Sequence, residues 1–546
     1  MPHPHSPAPD ATHTPHPQRW TVLAIMVLSL VVVVAGNTSL NVAIPTLIRD
    51  IGATNTELQW MVDSYALVFA GLLLPAGALG DRFGRKGALL IGLAIFGAAA
   101  FLSTLASTPT HLIATRALGG VGAAFIMPAT LSILAAVFPP HERGKAIAVW
   151  AGFAGAGGAI GNIVSGWMLE HFWWGSVFFV NIPIVIAAIV LGALIVPTSK
   201  DSTATPLDPV GSLLAVVGLG ATLFGIIEGP ARGWTESLTV TGFVVGLLAL
   251  GAFVIWERRI EHPMLPMRFF ADPRFSVGAA AIFLVFLAMF GTFFVSTQYL
   301  QLVKDFSPLQ AGFAILPSAA TMVLVAPRSD RLVQRFGRRT VMAFGLTLVA
   351  IGLGSIALLT PESPYIQYAA SLVIMSSGMA STMAPATAAI MNSLPLDKAG
   401  VGSAVNDTTR EVGGALGIAL LGSLLNTAYR TNVTNAIADA GSIPDEVADV
   451  ARQSVGAALG VAEQLGGPAG DTLRHLAETA FVDSMGLAAL VGAGCVALAV
   501  LIVARAMPSR DTDELPVAPG TVHASDHERP AAEPAFPHGG PEPAVD

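Results

Sequence analysis

Long apolar stretches alternate with short polar ones along nearly the whole chain. Windows of about 20 apolar residues, each long enough to cross a bilayer's hydrocarbon as a helix, lie near 20–43, 58–80, 87–107, 112–137, 144–169, 176–197, 208–228, 237–256, 275–302, 309–327, 339–360, 365–393, 399–428 and 479–504. The pattern predicts an all-α membrane protein with 14 transmembrane helices. The first stretch, from Trp20, is longer than the apolar region of a secretory signal, and no small-residue cleavage site follows it. It therefore counts as a span. The polar start, rich in Pro and His up to Gln18, and the Pro-, Ala- and acid-rich tail from about Pro508 read as disordered.

Three short echoes recur at nearly one offset. Phe83-Gly84-Arg85 returns 253 residues later as Phe336-Gly337-Arg338. Met127-Pro128-Ala129-Thr130 returns after 257 as Ala384-Pro385-Ala386-Thr387, and Gly157-Gly158-Ala159-Ile160-Gly161 after 256 as Gly413-Gly414-Ala415-Leu416-Gly417. Each links a span to the one eight further on, so the spans read as 6 + 2 + 6. The organisation expected is a tail at 1–19, a six-helix half at 20–197, two inserted helices at 198–257, a second six-helix half at 258–504 with an outer loop at 429–478, and a tail at 505–546. Repeats of this kind put a substrate cavity between the halves, near the middle of the bilayer.

Charge orients the spans. An even number puts both termini on one side. If that side is cytoplasmic, 20 of the 28 Lys and Arg lie on it and six lie opposite, with Arg116 and Arg410 inside spans. This satisfies the positive-inside rule and predicts a multi-pass protein of the cell membrane, inner or plasma, with both termini cytoplasmic. Hydrophobic residues are 53% of the chain and charged ones 12%, about half the usual soluble share. The net charge of −8 sits largely in the tails and one loop.

Several classes are excluded. No basic stripe accompanies exposed aromatics, so nucleic acid is not a partner. No aqueous segment houses a catalytic domain, and the chain is read as no enzyme. No GxxxxGK[ST] loop occurs, so ATP is not expected; transport runs on a gradient or passively unless another subunit supplies ATP. The lone Cys495 lies in an apolar run and reads as a packing residue. No histidine lies mid-membrane, and His3, His5, His13 and His16 belong to the disordered tail, so no metal site or cofactor is expected.

Between spans 2 and 3 the chain reads Gly77-Ala78-Leu79-Gly80-Asp81-Arg82-Phe83-Gly84-Arg85-Lys86. Small residues let helices approach, Asp81 ends one helix, and the basic group faces anionic lipid and the cytosol. This resembles the signature loop of the major facilitator superfamily, which implies a conformational role for Gly77, Asp81, Arg82, Gly84, Arg85 and Lys86. Arg116-Ala117-Leu118-Gly119-Gly120-Val121-Gly122 in span 4 resembles a second motif of that family. The glycine-rich run from Gly152 to Gly166, followed by Trp174 and Asn181-Ile182-Pro183, resembles its antiporter motif. Here Asn162 stands at the motif's proline and Ser165 at the first of its paired glycines, and plain close packing is the competing account. With 14 spans, Trp60-Met61-Val62-Asp63-Ser64-Tyr65 and Asn406-Asp407-Thr408-Thr409-Arg410-Glu411-Val412-Gly413-Gly414 make the chain similar, over about 20–505, to the fourteen-span drug:proton antiporters of the EmrB/QacA type. That resemblance implies export of hydrophobic or cationic drugs and antibiotics in exchange for protons. One departure stands out. Gly36, followed by Thr38, Asn41, Ala43 and Pro45, occupies the place of an acid in span 1.

The remaining intramembrane charges are the candidates for coupling, because a charge inside the bilayer is costly. Asp63 lies roughly 8 Å into span 2 at ~1.5 Å per residue, and Arg116 at a similar depth in span 4. The two are expected to pair, either exchanging partners during the cycle or as a static brace. Asp407 and Glu411 share one face of span 13 with Arg410 between them, a set that either moves protons or forms an internal salt bridge. Asn37, Asn41, Tyr65, Gln298, Tyr299, Gln301 and Asn406 are candidate cavity liners, and Phe290, Phe293 and Phe294 are candidate aromatic contacts. The partners expected are a small-molecule substrate, protons and membrane lipid. A second reading is an exporter of one endogenous metabolite, lipid or antibiotic without proton coupling; uptake and a non-transporting scaffold come after it.

Overall fold

Inside lipid every backbone polar group must be satisfied within its own segment, which leaves these apolar stretches the helix as their solution. A computed structural model describes residues 16–51, 55–199, 208–395, 398–440 and 443–508; both expected tails fall largely outside them. Among the described residues there is no strand, and 14 helices are long and apolar enough to cross a membrane. Their main helices are α1 (Arg19–Ile51), α2 (Asn55–Phe83), α3 (Arg85–Thr104), α4 (Pro109–Val137), α5 (Pro140–His171), α6 (Asn181–Ile195, its span opening in the short helix Ser176–Phe179), α7 (Pro209–Arg232), α8 (Ser237–Glu257), α9 (Pro273–Gln298), α10 (Leu316–Phe336), α11 (Arg338–Ile356), α12 (Tyr365–Asn392), α13 (Ala399–Ala440) and α14 (Gly467–Ala506). Proline opens α4, α5, α7 and α9, where its missing N–H costs nothing. Thr108, Asp208 and Asp272 cap three of these helices with a side-chain oxygen.

Four helices run well past the expected spans, and α1 is one, ending at Ile51 where 43 was expected. Helix α10 continues through Pro327 to Phe336, α13 reaches Ala440, and α14 begins at Gly467. Hydropathy marks where lipid lies, whereas an Ala-rich helix continues into water. The expected outer loop at 429–478 is consequently mostly helical, with Asp445–Ala451 and Val455–Leu465 between the two long helices. The Tyr429 hydroxyl donates to the Ala451 carbonyl at 3.0 Å and the Asn432 amide to Ser484 Oγ at 3.1 Å. Val433, Ile437, Val455, Leu473 and Ala477 are buried beneath this cap.

The sequence echoes become packing echoes. Helix α1 lies on α5 as α9 lies on α13; α2 lies on α4 as α10 on α12; α3 touches α4 and α6 as α11 touches α12 and α14. Between these two sets, α2 packs on α13 and α5 on α10, the exchange a two-fold relation produces. Helices α7 and α8 pair with each other, and α7 rests on α2 and α13. The close approaches repeat as well. A β-carbon on Gly122 would lie 2.8 Å from the Gly92 carbonyl, and one on Gly345 2.7 Å from that of Gly378. Gly161 meets Ala35 of α1 and Gly417 meets Leu287 of α9, backbone to backbone. Gly84 and Gly337 turn the chain at φ +121° and +82°, values that suit glycine alone.

These contacts carry a stability prediction. Gly417→Ala drives a methyl into the Leu287 carbonyl, and overpacking of this kind costs roughly 1–3 kcal/mol. The thermal midpoint of the purified protein should fall. Gly494→Ala, whose methyl meets nothing within 4 Å, should leave it unchanged, and equal midpoints for the two variants would refute the packing account.

Candidate functional site

The α2–α3 loop holds α13 by its first turn. Asp81, 4% exposed, ends α2. Its Oδ1 accepts from Arg85 Nε at 2.9 Å, and its Oδ2 accepts from the backbone N–H of Gly400 at 2.7 Å and Val401 at 3.2 Å. First-turn amides have no partner within their own helix, and the helix dipole favours a negative charge there. Asp81 thus caps a helix 319 residues away in sequence. Gly77 makes the approach possible, since a β-carbon on it would lie 2.6 Å from the Gly400 carbonyl oxygen. After the Gly84 turn, the Arg85 amide donates to the Ser199 carbonyl at 3.0 Å and Lys86 Nζ to that of Ala193 at 2.7 Å. The Arg82 guanidinium lies 5.5 Å from the Phe83 ring centre.

A counterpart absent from the sequence expectations stands between α5 and α10. A β-carbon on Gly144 would run into Asp330 Oδ1, and Arg338, in the place of Arg85, is buried like it. Gly144 precedes Gly400 by 256 residues, the repeat offset, and that was the available signal. Asp330 stands one turn earlier than Asp81 relative to Phe-Gly-Arg, so direct alignment of the echoes passes over it.

The acids of α13 sit beside Arg410, whose guanidinium reaches rings of α9 and α5. Asp407 is 1% exposed. Its Oδ1 accepts from Asn406 Nδ2 at 3.1 Å and Arg410 Nη1 at 3.4 Å, while its Oδ2 has no hydrogen-bond partner. Asn406 Oδ1 in turn accepts from the Thr387 hydroxyl at 3.0 Å. The Arg410 guanidinium rests over Phe286 at 4.8 Å and Trp150 at 5.8 Å. Trp150 explains the echo: its indole donates to Thr130 at 3.2 Å, as Thr387 bonds to Asn406, and positions 150 and 406 are 256 apart. Ala151, Ala154 and Gly155 stand where Asp407, Arg410 and Glu411 stand in the second copy. At these matched positions ionisable side chains stand in one copy only. Glu411, half-buried one turn on, is within electrostatic reach of the Tyr65 hydroxyl of α2.

Arg116 is 5% exposed and points at α1. Its Nε donates to the Met61 carbonyl at 3.2 Å, Nη1 to that of Gly36 at 3.2 Å and Nη2 to Asn37 Oδ1 at 3.0 Å. Its guanidinium lies 4.5 Å from the Tyr65 ring centre. The pairing with Asp63 expected from matched depth is not made. Asp63 is half-buried on α2, and Gly36 is packed closely on the Phe96 ring, which a β-carbon there would approach to 2.9 Å. Tyr65 lies against Gly119 and Gly120, whose missing side chains admit its ring and backbone, and its hydroxyl has no hydrogen-bond partner.

The other expected liners are not gathered here. Tyr299 is buried against Tyr368, ring centres 5.7 Å apart, with Lys304 Nζ 5.6 Å from its ring. Half-buried Gln298 and Gln301 flank it, roughly 20 Å along the chain from Phe286 at ~1.5 Å per residue. The Asn41 side chain lies outside the described residues. Phe290 and Phe294 are partly exposed and lie against Gly414 and Gly422 of α13. Among the described residues no three His, Cys, Asp or Glu are placed to hold a metal ion.

Comparison with known proteins gives the following. The family model described as the Major Facilitator Superfamily matches residues 26–418. The chain is 34% identical over 496 residues to the multidrug efflux pump LfrA of Mycolicibacterium smegmatis, covering 91% of this chain and 97% of that one. It is 30% identical over 526 residues to the tetracenomycin C resistance and export protein of Streptomyces glaucescens, covering 95% and 97%. The crystal structure of the human organic anion transporter MFSD10 superposes with a TM-score of 0.58 at 13% identity, covering 89% of this chain and 100% of that one, a likeness in fold.

Proposed function

Since this chain belongs to the major facilitator superfamily, a family of multi-pass transport proteins rather than enzymes, we propose that it exports hydrophobic or cationic drugs and antibiotics in exchange for protons. The unit of motion is a pair of six-helix halves, 20–197 and 258–504, with 198–257 attached at the side and both termini cytoplasmic. Support comes from the repeated helix pairings and the crossed α2–α13 and α5–α10 contacts, together with the Lys and Arg distribution. The Asp81 cap and its Asp330 counterpart close the cytoplasmic end, and alternating access requires both to open.

Asp407 carries the proton. The observation behind this is its buried carboxylate, held on one oxygen by Arg410 and free of any hydrogen bond on the other, beside a cation that rests on Trp150 of the other half. Protonation removes the charge that holds Arg410, so its contact with Trp150 of α5 loosens when the proton binds and re-forms when it leaves. Glu411 and Asp63 are secondary proton sites, and Arg116 clamps α1 to α4. Export of many drugs is favoured over export of one metabolite because the relative LfrA is named a multidrug efflux pump. The test is a resistance panel in an efflux-deficient host, with dye uptake in inverted vesicles. Resistance to several lipophilic cations and uptake abolished by an uncoupler are expected. Uptake that ignores the uncoupler would remove the proton from the scheme.

A further inference from the structure

The α7–α8 hairpin takes no part in the transport steps proposed above, yet two buried acids close its open end. Asp208, 4% exposed, precedes α7, and Glu257, 3% exposed, ends α8. Asp208 Oδ1 accepts from the Gly211 N–H at 2.8 Å, and the Trp256 indole donates to Oδ1 at 2.9 Å and Oδ2 at 3.1 Å. Glu257 Oε2 accepts from the Leu265 N–H at 3.1 Å. Its Oε1 is buried and has no hydrogen-bond partner.

The two carboxyls meet over Gly211. A β-carbon there would touch Asp208 Oδ2 and lie 2.7 Å from Glu257 Oε1, so the two oxygens converge on one bare α-carbon. Two ionised carboxylates so placed repel each other, without the water that would relieve them. Of the described charged groups nearby, none relieves them either. Lys398 is within electrostatic reach of Glu257, but its Nζ donates to the Pro263 carbonyl at 3.2 Å. Arg258, Glu261, His262 and Arg268 are exposed on the linker between α8 and α9. One hydrogen between Oε1 and Oδ2 turns the repulsion into a charge-assisted hydrogen bond.

We propose that Asp208 and Glu257 share one proton, Glu257 Oε1 donating to Asp208 Oδ2, and that this proton clasps the ends of α7 and α8 to the linker leading into α9. Glu257 supplies the hydroxyl because Asp208 already takes two N–H donors, which favour its ionised form. Glu257 Oε2 remains free to hold the linker through Leu265. The pair titrates as a unit. Loss of its proton sets two charges against each other and releases the hairpin end. This is a proton site separate from Asp407, and with the orientation proposed above it samples the pH of the cytosol.

Infrared spectra of the full-length protein in detergent, with no gradient present, test the site independently of transport. At neutral pH the wild type should show a protonated-carboxyl C=O band larger by one group than that of Glu257→Gln, and the excess should vanish at alkaline pH. Equal bands in the two proteins overturn the proposal. Thermal unfolding gives a second reading. The unfolded chain ionises both acids above about pH 4, so the stabilisation is whole below that value and is lost as pH rises to where the folded pair releases its proton. Across that window the wild type's folded-to-unfolded ratio should fall about tenfold per pH unit relative to Glu257→Gln, whose amide donates to Asp208 at every pH. Parallel pH dependence again overturns the proposal. Should Glu257→Gln fail to fold, Asp208→Asn takes its place: with no charge beside it, Glu257 should release its proton at lower pH, and an unmoved band counts against the clasp. Paired carboxylates also suit a divalent cation. Magnesium or calcium that abolishes the excess band, or that raises the midpoint of the wild type alone, makes this a metal site and overturns the shared proton.

Discussion

Replacing Asp407 with Asn is expected to reduce proton-driven export to the level of protein-free membranes while folding and substrate exchange persist. The amide has the carboxylate's shape, so its Oδ1 still accepts from Asn406 and Arg410. It takes up no proton near neutral pH, so the step that releases Arg410 disappears. The first copy offers no replacement at the matching position, where Ala151 stands. The measurement is made in proteoliposomes, with export under an imposed pH gradient and counterflow of labelled substrate without one. Loss of both activities together with a lowered thermal midpoint would make Asp407 a structural partner of Arg410 and end its role as the proton carrier.

The second large effect belongs to Asp81→Ala. The substitution removes two hydrogen bonds from a charged acceptor to the first turn of α13 and takes the carboxylate from Arg85. Hydrogen bonds to charged groups are worth ~1.5–3 kcal/mol each, so the contact loses about 3 kcal/mol or more. That shifts the balance between closed and open forms of this end by about a hundredfold. Ala404, fully buried opposite Gly77, reports it. In a Cys495→Ala background, Ala404→Cys should resist a membrane-impermeant maleimide while Asp81 is present and react readily once Asp81 is Ala. Labelling that does not change would separate Asp81 from the closure of this end.

How much of this was legible in the sequence depended on the kind of interaction. The spans were, because lipid forces one solution on each apolar stretch. The ends of α10, α13 and α14 were not, because hydropathy reports the solvent around a helix and not where its hydrogen bonding stops. The loop from Gly77 to Lys86 stood out through its spacing, yet its partners are the amides of Gly400 and Val401, and backbone groups leave no mark in a sequence. Trp150 and Asn406 occupy matching places but share no side-chain chemistry, so only the threonines they bond to betrayed the relation. The Asp63–Arg116 pairing failed because depth along a helix is readable from residue number whereas direction around it is not. Gly36, noted at first only for the acid it lacks, turns out to be where the Phe96 ring packs closely on α1.

Helix α13 is 42 residues long, about 63 Å at ~1.5 Å per residue, twice the ~30 Å of a bilayer's hydrocarbon. Along that one rod sit the Asp81 contact at its first turn, Asp407 and Arg410 two to three turns on, and the helical cap at its far end. A rod pivoted near one end works as a lever. A tilt of about 5° at the pivot swings the far tip by roughly 5 Å over such a length, with no motion inside the cap itself. The cap at the far end is in effect the pointer of a dial, on which small rearrangements around one buried carboxylate can be read at a distance.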